Sequence, residues 1–201
     1  MTAFTTEKID VEPWFDMELF MGVSQETRLG GDVMDRFMTL WKNWLPHLTV
    51  KGIDTGKIKY LLVALDESVE QDVDKAWEGS PSNAFLYNAL AQTMCMAAVH
   101  AVIPAVQDAG CAPAPKPTAT LREALEAEGI PYSNDKDPIL SRRYAVVTHY
   151  PFKGGCPGCF HCAGDRKCVY PAGFDPFFPS PTQNAHPLLY PSPLPHHPLA
   201  P

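Results

Sequence analysis

The pattern of apolar and polar residues predicts an amphipathic helix in GDVMDRFMTLWKNWLPHL, residues 31–48. Apolar side chains recur there at steps of three and four residues, and polar side chains occupy the opposite face. The apolar face comprises Val33, Met34, Phe37, Met38, Trp41, Trp44 and Leu45. Because proline has no amide hydrogen for a helix interior, we expect the helix to end before Pro46.

The strongest helix signal lies in SPSNAFLYNALAQTMCMAAVHAVIPAVQDAG, residues 80–110. Ser80 or Ser82 can cap its first turn, and Gly110 can end it. Apolar residues cover nearly the whole circumference, which is typical of a central, buried helix. We expect Pro104 to kink it, and we interpret Cys95 within it as a small buried apolar residue. His100 is interpreted as a core residue and Cys111, after its end, as another buried thiol.

Shorter segments give further elements. Residues 60–65, YLLVAL, fit either a buried strand or a helix, and we favour a helix that continues or restarts through residues 69–79. In TATLREALEAEG, residues 118–129, Thr120 and Glu123 have the spacing of a capping box.

One strand is predicted near the end of the folded body. RRYAVVTHY, residues 142–150, is rich in β-branched and aromatic residues and runs directly towards four closely spaced cysteines. The sequence therefore predicts a mainly α fold, in which a short β element leads into a cysteine-rich metal-binding loop.

The chain divides into two parts. We predict one helical domain over residues 1–170, including the loop 156–168, and a proline-rich, disordered tail over residues 171–201. Ten of the 31 tail residues are proline, which excludes a helix or a central strand. Residues 191–198 contain PxxP-like spacing, which leaves a docking ligand for a proline-binding domain as an alternative.

Composition narrows the class of protein. The 201 residues include 45% apolar residues, enough for one domain with a hydrophobic core, and carry a net charge of −7. This charge disfavours nucleic-acid binding, for which the pairs Arg142–Arg143 and Arg166–Lys167 are the nearest candidates. The first residues lack a secretory signal pattern, and we find no run of about 18 apolar residues. We therefore expect a cytoplasmic protein without a membrane span, where closely spaced cysteines favour metal binding over disulfides.

The cysteines provide the clearest chemical signal. Cys156, Cys159, Cys162 and Cys168 follow the spacing C-x2-C-x2-C-x5-C. Two intervening residues allow one tight loop to direct both sulfurs to a common centre, and glycines flank these turns. Four thiolates suit a [4Fe-4S] cluster or a tetrahedral Zn²⁺ ion.

The spacing favours the iron–sulfur cluster. The first three cysteines resemble the C-x2-C-x2-C run of bacterial ferredoxins, although the fourth follows five residues later instead of three. Cys159-x2-Cys162-x5-Cys168 resembles the end of the cluster loop of endonuclease III-type DNA glycosylases. Two residues separate Cys156 from Cys159 where that family has six. The resemblance implies a [4Fe-4S] cluster but no glycosylase activity, because the catalytic lysine and aspartate setting is missing.

Other assignments stay open. CPGC resembles a zinc knuckle, and His161 could replace one cysteine around Zn²⁺. We expect a small iron–sulfur protein in electron transfer or in a redox complex with a protein partner; the alternative is a zinc-binding structural or interaction module. An enzyme with Cys111 or a loop cysteine as nucleophile would need a base, for which His149 and His161 are candidates. The acidic residues are interpreted as a solvated helix face: Asp66, Glu67, Glu70, Asp72 and Asp74.

Overall fold

The computed structural model describes residues 4–133 and 139–152. In these ranges it contains four strands and six α-helices. The strands are β1 (Thr5–Lys8), β2 (Leu48–Asp54), β3 (Lys59–Leu65) and β4 (Ala145–His149). The helices are α1 (Met17–Ser24), α2 (Gly31–Trp44), α3 (Glu67–Gly79), α4 (Pro81–Val102), α5 (Pro104–Ala109) and α6 (Ala119–Ala127).

The strands form one antiparallel sheet in the order β1-β2-β3-β4. β2 and β3 form a hairpin in which Val50 lies opposite Val63. β4 comes from much later in the chain and pairs with β3, so that Val146 lies opposite Val63. The last strand before the cysteines is therefore fixed against the central hairpin.

The sheet is covered on both faces. Side chains of β3 alternate between the two sides, with Leu61, Val63 and Leu65 in a large core formed with α2 and α4. Tyr60, Leu62 and Ala64 lie on the other side, in a smaller core with α6. Each of these six β3 residues is at most 3% exposed. The fold is a sheet between a thick and a thin helical layer.

The expectation of a mainly α fold was wrong in part. About half of the described residues are helical, and the remainder include the four-stranded sheet. Residues 60–65, for which we favoured a helix, form β3. A strand buried on both faces shows no alternation of apolar and polar residues, so its sequence resembles a buried helix segment. β1 and β2 were not predicted.

The predicted central helix is confirmed, with one correction. Of the two predicted caps, Ser80 caps α4, because its side chain accepts a hydrogen bond from the Asn83 backbone amide (3.4 Å). At Pro104 the helix breaks instead of kinking: Ile103 leaves the helical conformation (φ −131°, ψ 79°), and α5 begins at Pro104. The break follows from Pro104, which has no amide hydrogen to donate and disfavours the helical conformation at the residue before it.

α4 also has a property that we did not predict from the sequence. Among the described residues, it is the one helix long and apolar enough to cross a membrane by length and composition, and 56% of its most apolar window is buried inside the fold. Core helices of soluble proteins share this length and composition. The feature therefore does not by itself favour a membrane span.

The other predicted helices are present in the structure, and α2 ends before Pro46 as predicted. α2 ends at Trp44, and Pro46 lies in a 3₁₀ turn that follows. α3 begins after Asp66, which caps it. α6 is capped by Thr118, whose side chain accepts from the Leu121 amide, so the capping box predicted at Thr120 was wrong.

Candidate metal-binding loop and its anchor

The four candidate ligands lie outside the described residues. Cys156, Cys159, Cys162 and Cys168 all follow residue 152, as do His161 and the tail, so their assignment stays a prediction. The structure shows how residues 142–152, immediately before the loop, contact the rest of the fold. β4 confirms the predicted strand, at Ala145–His149.

The end of β4 is anchored at several points. The Tyr150 amide donates to the Lys59 carbonyl (3.0 Å), which extends the strand pairing by one residue. The Thr148 hydroxyl donates to the Pro113 carbonyl (3.0 Å) in a buried position. Phe152 is 7% exposed and belongs to the larger core. The chain therefore enters the cysteine segment from a fixed position on the sheet.

The start of β4 is tied to α3 by charged groups. Arg143 makes a bidentate pair with Asp74 (2.7 and 3.2 Å), and its backbone amide donates to Glu70 (2.9 Å). The hydrogen bond with Asp74 raises the pKa of Arg143 further above its ordinary value. Arg142 lies 3.7 Å from Glu67 and 3.8 Å from Glu70. These contacts connect the segment before the strand to a helix that is distant in sequence.

These contacts change the interpretation of two sequence features. The pair Arg142–Arg143, considered for nucleic-acid binding, forms ion pairs with carboxylates of α3. The acidic run is not simply a solvated helix face, since Asp72 also accepts from the Trp44 indole (3.0 Å). Both the arginine pair and the acidic run therefore interact with other side chains of the protein.

Two thiols lie within the described residues. Cys95 is fully buried, as predicted, and its thiol lies 3.6 Å from the Tyr144 carbonyl. Burial raises its pKa to about 12, so the thiol stays neutral and is a poor nucleophile at neutral pH. Cys111 is half-buried. His149, considered as a base, packs on the ring of Tyr60 at 5.6 Å, and burial lowers its pKa.

The structure assembles a histidine, an acid and a serine that the sequence reading did not connect. His47 Nδ1 lies 2.8 Å from Asp66 Oδ2 and 3.0 Å from Ser68 Oγ. Both contacts use the same imidazole nitrogen, whereas a catalytic relay needs the acid and the hydroxyl on opposite nitrogens. Burial opposes ionisation of Asp66, but hydrogen bonds from Ser68 and His47 outweigh it and lower its pKa. The group serves as the cap of α3.

Neither the described side chains nor the comparisons point to another metal site. Within residues 4–133 and 139–152, no group of three or more His, Cys, Asp or Glu side chains is placed to hold a metal ion. Comparison with protein-family models, curated proteins and solved structures gave no match for this chain. The function of the protein is therefore inferred from its own residues.

Proposed function

We propose that the protein holds a [4Fe-4S] cluster on Cys156, Cys159, Cys162 and Cys168 and acts in electron transfer or as the cluster-bearing part of a redox complex. The observation that carries the proposal is the C-x2-C-x2-C-x5-C spacing. Soft thiolates in one short loop are the ligand set that such clusters use. A bound cluster would supply one-electron chemistry.

The residues around the cysteines fit an anionic centre. A [4Fe-4S]²⁺ core with four thiolates has a net charge of about −2, which Lys153, Arg166 and Lys167 would offset. Glycine amides in the loop would donate hydrogen bonds to sulfur and tune the potential. A cytoplasmic, reducing compartment would keep the thiols available for metal.

The contacts that hold Thr148, Tyr150 and Phe152 against the fold also support the proposal. Sites are positioned more accurately when they follow rigid elements than when they follow mobile ones. β4 is paired along its length with β3, and Phe152 is buried in the core just before the loop. Any centre bound by the cysteines would therefore be attached to the sheet at this end.

A second candidate is a zinc-binding structural or interaction module without catalytic activity. Four thiolates around Zn²⁺ have the same charge, and the CPGC turn with His161 suits a tetrahedral ion. In this case the metal would fold the loop, and the proline-rich tail would serve as ligand for a partner protein.

The test is anaerobic purification followed by iron, sulfide and zinc analysis and a visible spectrum. We expect about four iron and four sulfide per chain, with a broad absorbance that dithionite bleaches. Cys159→Ser should abolish both iron content and colour. Cys95→Ala is the matched control, because it removes a buried thiol and should leave both unchanged.

The outcomes separate the two candidates. Stoichiometric zinc in a colourless protein, lost in Cys159→Ser, would favour the zinc module. If protein purified without oxygen contained neither iron nor zinc, both candidate functions would be overturned. Iron retained in Cys159→Ser would show that the ligand set is wrong.

A further inference from the structure

Trp14 is the most exposed large apolar side chain among the described residues, at 72%. It precedes α1 in the segment VEPWFDM, residues 11–17. A tryptophan in this position loses the free energy that burial would provide. Tryptophan is also among the side chains that most often dominate binding at protein interfaces.

The residues on both sides of Trp14 are fixed. The Trp41 indole donates to the Pro13 carbonyl (3.1 Å) in a buried position. Phe15 packs edge-on against Trp41 at 5.3 Å and also contacts Phe20 at 5.8 Å. Trp14 is therefore presented outward on a rigid segment, and little conformational entropy would be lost if a partner bound there.

A pocket of about 90 Å³ lies beside Trp14. Its lining consists of Trp14, Asp16, Ala97, His100, Ala101 and Gln107. One oxygen of Asp16 accepts from the Leu19 amide (3.0 Å) and caps α1. The lining thus combines an indole ring, a carboxylate and small apolar side chains of α4.

The two stretches of chain that line this pocket carry a net negative charge. No lysine or arginine occurs between Lys8 and Arg28, or between Lys75 and Lys116, the two stretches that supply all of the lining. Burial lowers the pKa of His100, although Asp16 acts in the opposite direction, so the imidazole is neutral at neutral pH. Asp16 is then the charged side chain of the lining, with Glu12 and Glu18 exposed nearby in sequence.

We propose that this pocket binds a lysine or arginine side chain from a basic segment of a partner protein. An ammonium or guanidinium group over an indole face is attracted by the ring, and a neighbouring carboxylate adds a charge-assisted hydrogen bond. The site is independent of the cysteine loop and requires no metal.

The test is fluorescence anisotropy of the full chain with a labelled peptide that alternates glycine with lysine and arginine. Trp14→Ala and Asp16→Asn should each weaken binding by about tenfold. Asparagine is also a good N-cap, so Asp16→Asn keeps α1 intact. Trp77→Ala, which removes another exposed tryptophan (47%), and Asp35→Asn, which makes the same charge change elsewhere, should leave affinity within about twofold.

Each alternative outcome overturns the proposal. Equal weakening by Asp16→Asn and Asp35→Asn would show that net charge alone attracts the peptide. Equal binding of a peptide with acetylated lysines and citrulline in place of arginine would show that no cation is recognised. No measurable binding of the basic peptide at about 1 mM would show that the site has no useful affinity.

Discussion

At the scale of single residues, charged side chains connect parts of the chain that are far apart in sequence. Arg143 and Asp74 are separated by 69 positions, yet they form a bidentate pair. The sequence shows both charged residues, but it does not show that they pair. A charged side chain has many possible partners, and the fold selects one of them.

Arg143→Ala should lower the free energy of unfolding by about 1 kcal/mol, because it removes a bidentate pair whose geometry is better than that of most surface ion pairs. Urea denaturation followed by circular dichroism measures the change. Lys8→Ala is the control: its pair with Asp10 is highly exposed and should contribute little. Equal effects of the two substitutions would contradict the proposed tie between β4 and α3.

Burial lowers the pKa of His149 and of His100, which gives a pH dependence of stability. On unfolding, the pKa of both imidazoles returns to about 6.5. At pH values between the folded and the unfolded pKa, the unfolded chain therefore binds more protons than the folded chain. The free energy of unfolding should therefore decrease as the pH falls from about 7 towards 5.

His149→Phe keeps a ring against Tyr60 but does not titrate, and its stability profile should be shallower than that of the wild type over this pH range. Urea midpoints at successive pH values measure the slopes. Parallel profiles would show that His149 does not contribute to the slope.

At the scale of elements, helix existence followed from periodicity, whereas helix boundaries depended on local hydrogen bonds. α6 illustrates the difference: we predicted a capping box at Thr120, whereas the chain enters the helix at Thr118. The strands were harder to predict. β3 is stabilised by neighbours on both sides, β2 and β4, and by residues packed on both faces.

Thr118→Ala should destabilise the protein by about 1 kcal/mol, since the Leu121 amide would lose its side-chain partner. Thr120→Ala lies inside the first turn and should change stability by less than about 0.5 kcal/mol. The comparison uses thermal and urea unfolding of both variants. A larger cost at Thr120 would favour the capping box that the sequence suggested.

At the scale of the whole molecule, the described core is formed without the loop cysteines. The larger core joins α2, α4, β3 and β4, and the smaller core joins α6 to the other sheet face. Metal binding and folding of the sheet should therefore be separable events in this protein.

A Cys159→Ser/Cys162→Ser variant should lose its metal while the midpoint of thermal unfolding shifts by less than about 4 °C. Hydrogen exchange should remain slow in β3 and become faster in the loop residues 156–168. Mass spectrometry of exchanged peptides measures both regions. Faster exchange in β3 would show that the metal stabilises the sheet itself.

The sequence by itself determined the amphipathic and buried helices, the strand before the cysteines and the thiol spacing, because each depends on residues close together in the chain. Tertiary structure decided that residues 60–65 lie in a central strand, that Arg142 and Arg143 face α3, and that Trp14 lies beside Asp16 and His100. These features depend on pairings between distant segments, which local periodicity does not encode.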